Sequence, residues 1–395
     1  MIGGGAAGLS LAYRLVESGV ATVTVVEAPD GPRRPAERTW CYWERGTGDF
    51  DEAVHASWPL LRVRAADGGD VTVDPAPLRY RMLRSTDFER LVHARVARSP
   101  GGRIVRATAD TVRGTADGTE VRCRTPGGGT LTLHARYVFD SRPLRTLPPA
   151  RTQLAQHFRG WFVRTEADRF DPRVADLMDF RVPQPRRGLA FGYVLPLAAD
   201  RALVEYTEFS RSPLDTRQYD SALTSYTRDV LRLGAFTVES AEQGVIPMTD
   251  ARFRRRLGPG HFRIGTAGGA TRPATGYTFS AVQRQSRAIA AALRDGRAGR
   301  ALVPPPHGIR ARAMDAVLLR ALDTGRLDGP DFFTRLFRRV PPERLLRFLD
   351  GDTSPWEEWG IGLRTPVRPM LKTAAELPFL PRRSHPFPRM GESKR

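Results

Sequence analysis

Apolar positions change period several times along the chain, and each change marks an element. In "AAGLSLAYRLVESG", Leu9, Ala12, Leu15 and Val16 fall on one helical face, and Gly19 is a stop signal. "ATVTVVEA" follows as a strand ending in Glu27. "ARYVFDSRPL" predicts a short apolar strand ending at Asp140. "HFRIGTAGGATRPATGYTFSAVQRQSRAIAAAL" predicts a strand, a glycine-rich turn and a long helix beginning near Tyr277. "LRVRAADGGDVTVDP" reads as a hairpin. In "LVEYTEFS", alternation puts Leu203, Glu205 and Thr207 on one face and Val204, Tyr206 and Glu208 on the other. Past residue 300, "AMDAVLLRAL", "DFFTRLFRRV" and "PPERLLRFLDG" are short amphipathic helices with arginines beside Leu and Phe.

The first of these helices follows a glycine fingerprint. Gly3, Gly5 and Gly8 form G-x-G-x-x-G, and with Ala7 they are the candidate pyrophosphate contacts. Phosphates are expected at the helix N-terminus, where free N–H groups and the dipole favour negative charge. Glu27, about twenty residues on, stands where a ribose hydroxyl is held. Only Met1 and Ile2 precede Gly3, fewer than the roughly five residues of a central strand. A start codon further upstream is therefore expected. Gly265, Gly268 and Gly276, with Tyr277, complete a flavoprotein pattern at the second glycine-rich turn.

Charge changes this picture little. The net charge is +19, and lysine occurs only at Lys372 and Lys394, so arginine carries the basicity. No zinc knuckle, RNP-type motif or basic heptad accompanies it, which argues against a nucleic-acid partner. A basic surface of this kind also suits anionic lipid headgroups. Cys41 and Cys123 form neither a disulfide framework nor a metal spacing, and no metal site is predicted. The Pro/Arg-rich tail "LPRRSHPFPRMGESKR" is expected to be mobile.

The segments "GGGAAGLSLAYRL", "ERTWCYW", "LRSTDFERLV", "QHFRGWFV", "YVLPLAADRALVEYTEFS", "GVIPMTD" and "TAGGATRPATGYTFSAV" occur in an order that resembles bacterial, flavin-dependent lycopene β-cyclases. The resemblance runs from the first glycines to about residue 380. It implies FAD in its reduced form, NADPH as the usual electron donor, and lycopene or another linear carotene as substrate. It implies protonation of a terminal alkene, ring closure and proton loss, without net redox change. Glu205 matches the glutamate of the family's acidic motif, and its apolar strand predicts a raised pKa suited to a general acid. Many relatives carry a second acid directly after it, where this chain has Tyr206, which puts any mechanism needing adjacent carboxylates in doubt. Arg38 and Thr39 fall where the family motif approaches the flavin. Trp40, Trp161 and Phe162 are candidates for lining a polyene channel.

The expected fold class is α/β: a Rossmann-type FAD-binding domain, an antiparallel β-sheet substrate domain and C-terminal helices, similar to flavin monooxygenases and geranylgeranyl reductases. The FAD domain is expected to be discontinuous, from residues 1–50, 81–150 and 243–300. Residues 51–80 and 151–242 would form the substrate sheet, and 301–395 the helices. The resemblance also implies a cytoplasmic protein peripherally associated with the inner face of the membrane, with the basic helices past residue 300 suited to that contact. The competing readings are an FAD-dependent monooxygenase or prenyl reductase on the same fold, and a basic lipid- or nucleic-acid-binding protein with a vestigial one. Monooxygenases usually carry G-D-A in the second glycine turn, where this chain has "GTAGG" with Thr266.

Overall fold

The computed structural model describes residues 1–31, 34 and 36–384. Strands β1 (Val23–Glu27) and β7 (Gly102–Arg106) pair in parallel, as do β11 (Val138–Asp140) and β17 (His261–Arg263). Ile2 joins the two pairs, with parallel bridges to Val26 on one side and Asp140 on the other. The central place in the sheet is thus held by two residues. Ile2 N–H donates to the Phe139 carbonyl at 2.8 Å, and Gly3 N–H to that of Val26 at 2.9 Å. The chain therefore turns at Gly3 from the middle of the sheet into helix α1 (Ala6–Ser18), which stops at Gly19 in the left-handed region.

Helices α1, α2 (Ser85–Arg98) and α4 (Phe279–Arg294) cover one face of this sheet, with Leu9, Val25, Phe88, Phe139 and Val282 in a shared core. The other face is covered by an antiparallel meander of β8 (Thr108–Thr115), β9 (Gly118–Arg124) and β10 (Thr130–Ala135), over Ile2, Val26 and Val138. Helix α4 starts two residues after Tyr277, because the turn before it is closed by Arg272 N–H on the Tyr277 carbonyl.

The second large sheet has seven strands. In spatial order they are β16 (Phe236–Thr249), β12 (Gln153–Thr165), β15 (Arg201–Ser210), β14 (Leu189–Pro196), β13 (Val174–Asp179), β4 (Leu60–Arg64) and β5 (Asp70–Val73). All neighbours are antiparallel except β13 and β4. The hairpin read from "LRVRAADGGDVTVDP" is β4–β5, at one edge. Helix α3 (Thr216–Ser225) packs on the outer face through Tyr219 and Leu223. The inner face looks toward a small sheet of β2 (Thr39–Arg45), β6 (Leu78–Arg84) and β3 (Val54–Trp58), and toward the C-terminal helices.

Those helices are α5 (Ile309–Asp323), α6 (Gly329–Arg339), α7 (Pro342–Asp350), α8 (Pro355–Gly362) and α9 (Val367–Glu376). The three whose composition suggested a membrane face bury their apolar stripes instead. Leu319, Leu322, Phe333, Leu336, Leu345 and Leu346 all join the main core. The start of the tail is also tied down, by an antiparallel bridge from Arg383 to Ala150. Residues 385–395 of the tail lie outside the described residues. No helix among the described residues is long and apolar enough to cross a membrane.

Candidate active site

The first glycine turn is built to receive an anion. Gly5 caps α1 without any side-chain hydrogen bond, leaving the first-turn N–H groups free. A Cβ placed on Gly5 would meet nothing within 4 Å, so the space above the helix end is open. A Cβ on Gly8 would lie 2.0 Å from the Gly3 carbonyl, which is why this helix can sit so close to the turn. Gly265 brings the second glycine turn against the first: its Cβ would approach Ala7 Cβ to 2.8 Å. Gly268 follows in the same short helical turn.

Glu27 ends β1 beside Gly4 and is buried. Burial alone would raise its pKa, but the hydrogen bond from His93 (2.7 Å), with Arg106 and Arg34 nearby, brings it below the usual carboxylate value. Asp140 does not face the glycine turn. Its carboxylate is held by Arg142 at 2.6 Å and lies 3.5 Å from His261. Ser141 takes the place beside the turn, donating to the Ile2 carbonyl at 3.0 Å. Arg38 is exposed, and its backbone is clamped to Ser85 in both directions.

Beyond the second glycine turn lies an apolar cavity between the inner face of the seven-stranded sheet, β2, β6, and helices α6 and α7. Gly276, Tyr277 and Phe279 bring the uncapped N-terminus of α4 to its wall. Phe158, Phe191, Leu203 and Phe209 line the sheet side, and Phe333, Phe337 and Leu349 the helix side. Trp40 also lines it, stacked on Phe279 with ring centroids 5.9 Å apart.

Two carboxylates enter this cavity. Glu205 on β15 is 6% exposed, and Thr207 Oγ1 donates to it at 2.5 Å. Burial, together with the charge of Glu242, pushes its pKa up to about 8; the Thr207 hydrogen bond opposes this only in part. Glu242 on β16 accepts a hydrogen bond from Thr39 Oγ1 at 2.7 Å. Burial raises it to about 6, less than Glu205, because Thr39 and Arg84 favour its charged form. Above them sit three tyrosines. Tyr80 Oη lies 2.5 Å from Tyr193 Oη and 3.2 Å from Tyr277 Oη, beside the Cys41 thiol, whose pKa burial raises to about 12.

The cavity therefore gathers Glu205, Thr39, Trp40, Gly276 and Tyr277, while the two glycine turns gather Gly3, Gly5, Ala7, Gly8, Gly265 and Gly268. Trp161 must be corrected. On β12 it alternates with Gly160 and Phe162, so it points to the outer face, against Phe236 at 6.5 Å between centroids. Phe162 is on the cavity side but packs in the core beneath the Arg84 guanidinium, 4.8 Å from its ring. Tyr206 and Glu208 share the outer face, their side chains 3.4 Å apart. Glu242 and Tyr193 escaped sequence reading. The signal for Glu242 was alternation in "ESAEQGVIP", which places Glu242, Gly244 and Ile246 on one face and Glu239 on the other.

Among solved structures, a geranylgeranyl bacteriochlorophyll reductase-like protein from Thermoplasma acidophilum matches 95% of this chain and 98% of its own (TM-score 0.60, 13% identity). p-Nitrophenol 4-monooxygenase PnpA from Pseudomonas putida DLL-E4 matches 97% of each chain (TM-score 0.61, 15% identity). Aklavinone-11 hydroxylase, solved with FAD and aklavinone, aligns over 75% of this chain and 62% of its own (TM-score 0.53, 22% identity). These likenesses define the fold class, an α/β architecture shared with flavin monooxygenases and geranylgeranyl reductase-like proteins. Sequence narrows the class: the lycopene cyclase protein family matches residues 1–375, and the chain belongs to that family. A lycopene beta-cyclase of Pseudescherichia vulneris is 33% identical over 126 residues, 30% of this chain, and the match spans about a third (32%) of that relative.

Proposed function

We propose that this protein closes the ends of lycopene, or another linear carotene, into β-ionone rings by acid-initiated cyclisation without net redox change. The observation that carries the reading is Glu205: a carboxyl raised to about 8, at the wall of an apolar cavity in a lycopene cyclase family member. A group that holds its proton at neutral pH inside a hydrocarbon-lined site is suited to protonating an alkene.

Glu205 delivers its proton to the terminal double bond, leaving a tertiary cation. The neighbouring alkene attacks that cation, and the new carbon–carbon bond closes a six-membered ring. Loss of a ring proton then gives the β-ionone end, with mass unchanged. Glu242, at about 6, is ionised at neutral pH and is the group placed to take the ring proton. Trp40 and Phe279 offer aromatic faces to the cation, and the apolar walls exclude the water that would trap it.

The free N-terminus of α1 and the open space at Gly5 fit a dinucleotide pyrophosphate, and the uncapped α4 fits the flavin end. We assign Gly3, Gly5, Ala7, Gly8, Glu27, Gly265, Gly268 and Gly276 to FAD. When bound and reduced, the flavin would supply negative charge facing the cation. NADPH is the proposed source of electrons, none being consumed per ring. We also propose the discontinuous division into FAD domain, substrate sheet and C-terminal helices given above.

The test is expression in a lycopene-accumulating host, with carotenoids analysed by absorbance and mass. Ring-closed product of unchanged mass supports the reading. Product gaining oxygen or two hydrogens overturns it in favour of a monooxygenase or prenyl reductase.

A further inference from the structure

The last two helices turn an apolar face to solvent. Trp356 and Trp359 on α8, and Leu363 just past its end, stand three and four residues apart and share one side. Trp356 is 85% exposed and Trp359 67%. Val367 and Leu371 on α9 are exposed at the same i, i+4 spacing, and Phe379 follows. Ile309 at the start of α5 is exposed too, and its neighbour Arg310 pairs with Glu358 of α8 at 2.9 Å. Val238 apart, every exposed large hydrophobic residue of the described chain belongs to this region. Water-facing tryptophans concentrated on one surface mark an interaction site.

Charge indicates what covers it. The acids of these helices are all engaged: Glu357 with Arg347, Glu358 with Arg310, and Glu376 with Arg320 and Arg326. The bases on the outward side are not. Arg368 and Lys372 are exposed and make no ion pair among the described residues, and Arg364 donates only to the Gly360 carbonyl. The face thus combines tryptophan, leucine and uncompensated positive charge, which complements an anionic headgroup layer over hydrocarbon. The inner side of the same helices is anchored through Ile361, and the helical layer they extend lines the cavity with Phe333, Phe337 and Leu349.

We propose that the outward face of α8 and α9 docks on an anionic lipid bilayer. Trp356, Trp359, Leu363 and Leu371 enter the boundary between headgroups and acyl chains, and Arg368 and Lys372 meet phosphates. The proposal rests on the function above only in that a hydrocarbon substrate needs delivery from a membrane. Exposure and charge carry the docking itself.

The experiment is flotation of the full chain with phosphatidylcholine vesicles, with or without about one-third phosphatidylglycerol. The protein should float with the anionic vesicles, less so at high salt. W356E/W359E should lose binding to them. R368E/K372E should weaken it by roughly tenfold or more, at about 1 kcal/mol per basic residue. Both variants should keep native circular dichroism and flavin content. Wild-type protein left in the aqueous fraction, or variants that float unchanged, would overturn the proposal. So would a wild-type dimer that W356E/W359E dissociates, since the face would then join two copies. Flotation without ring formation in the lycopene host would remove the proposed function and leave the docking surface standing.

Discussion

Glu205 and Glu242 stand on either side of one residue. Both pair across β12 with Gly160, Glu205 from β15 and Glu242 from β16, so their side chains rise from the same sheet face two strands apart. At the usual strand spacing their Cα atoms are separated by about 10 Å. The glycine between them keeps the gap open: a Cβ there would come within 2.8 Å of Leu203 Cδ1 and 3.3 Å of Glu205 Cβ. Tyr206 follows Glu205 in sequence and faces the other way, so the second carboxylate of this cavity comes from across the sheet. One carboxyl is pushed to about 8 and the other to about 6, so at neutral pH one holds its proton and the other is ionised.

Glu205→Gln is nearly isosteric but has no proton to give. Folding and flavin binding should survive, and cyclisation should fall by roughly two to four decades or more. Glu205→Asp should lose less. Glu208→Gln, on the outer face, should be mild. Steady-state product formation by the three variants, at matched protein, checks the assignment.

The pH profile should be bell-shaped. Activity is lost above about 8 as Glu205 deprotonates and below about 6 as Glu242 gains a proton. Stability carries a second signature of Glu205. Its folded value lies above its ordinary 4.5, so between about 4.5 and about 8 the folded state holds a proton that the unfolded state has released. That stability is complete below 4.5 and is lost as pH rises through about 8. Denaturation midpoints across this window should show wild type falling relative to Glu205→Gln as pH rises, because the neutral amide does not titrate.

Thr39→Val removes the hydrogen bond that favours the Glu242 anion. The acidic limb of the profile should move to higher pH, with the alkaline limb unchanged. Glu242→Gln should abolish the acidic limb and lower the rate at neutral pH. Rates measured across pH for the two variants separate a proton acceptor from a packing residue.

Gly5→Val would fill the open space over α1 and block approach of a pyrophosphate. The purified variant should be folded and free of the flavin absorbance of wild type.

Local pattern made α1, β1 and Glu27 readable, because a glycine fingerprint, a helical stripe and an apolar strand all lie within thirty residues. The face of Glu205 was readable for the same reason, since alternation is local. Trp161 and Phe162 cannot both line the cavity, because neighbours on a strand face opposite ways and Trp161 packs outward on Phe236. Glu242 stayed hidden because its partnership with Glu205 depends on the register of three strands, spanning residues 153–249, which no short window contains. Helix α8 carries only a weak amphipathic pattern, whereas the strong patterns of α6 and α7 serve the core.

The central claim is that a solvent-exchangeable proton on Glu205 starts the ring. The direct measurement is anaerobic turnover of lycopene by the flavin-reduced enzyme in deuterium oxide, with product mass resolved. One deuterium should be retained for each ring formed, because the added proton stays on carbon and a different ring hydrogen leaves. The same enzyme in ordinary water should give product of the substrate's mass. Ring-closed product without deuterium, or a mass gain of two hydrogens in ordinary water, would contradict the account.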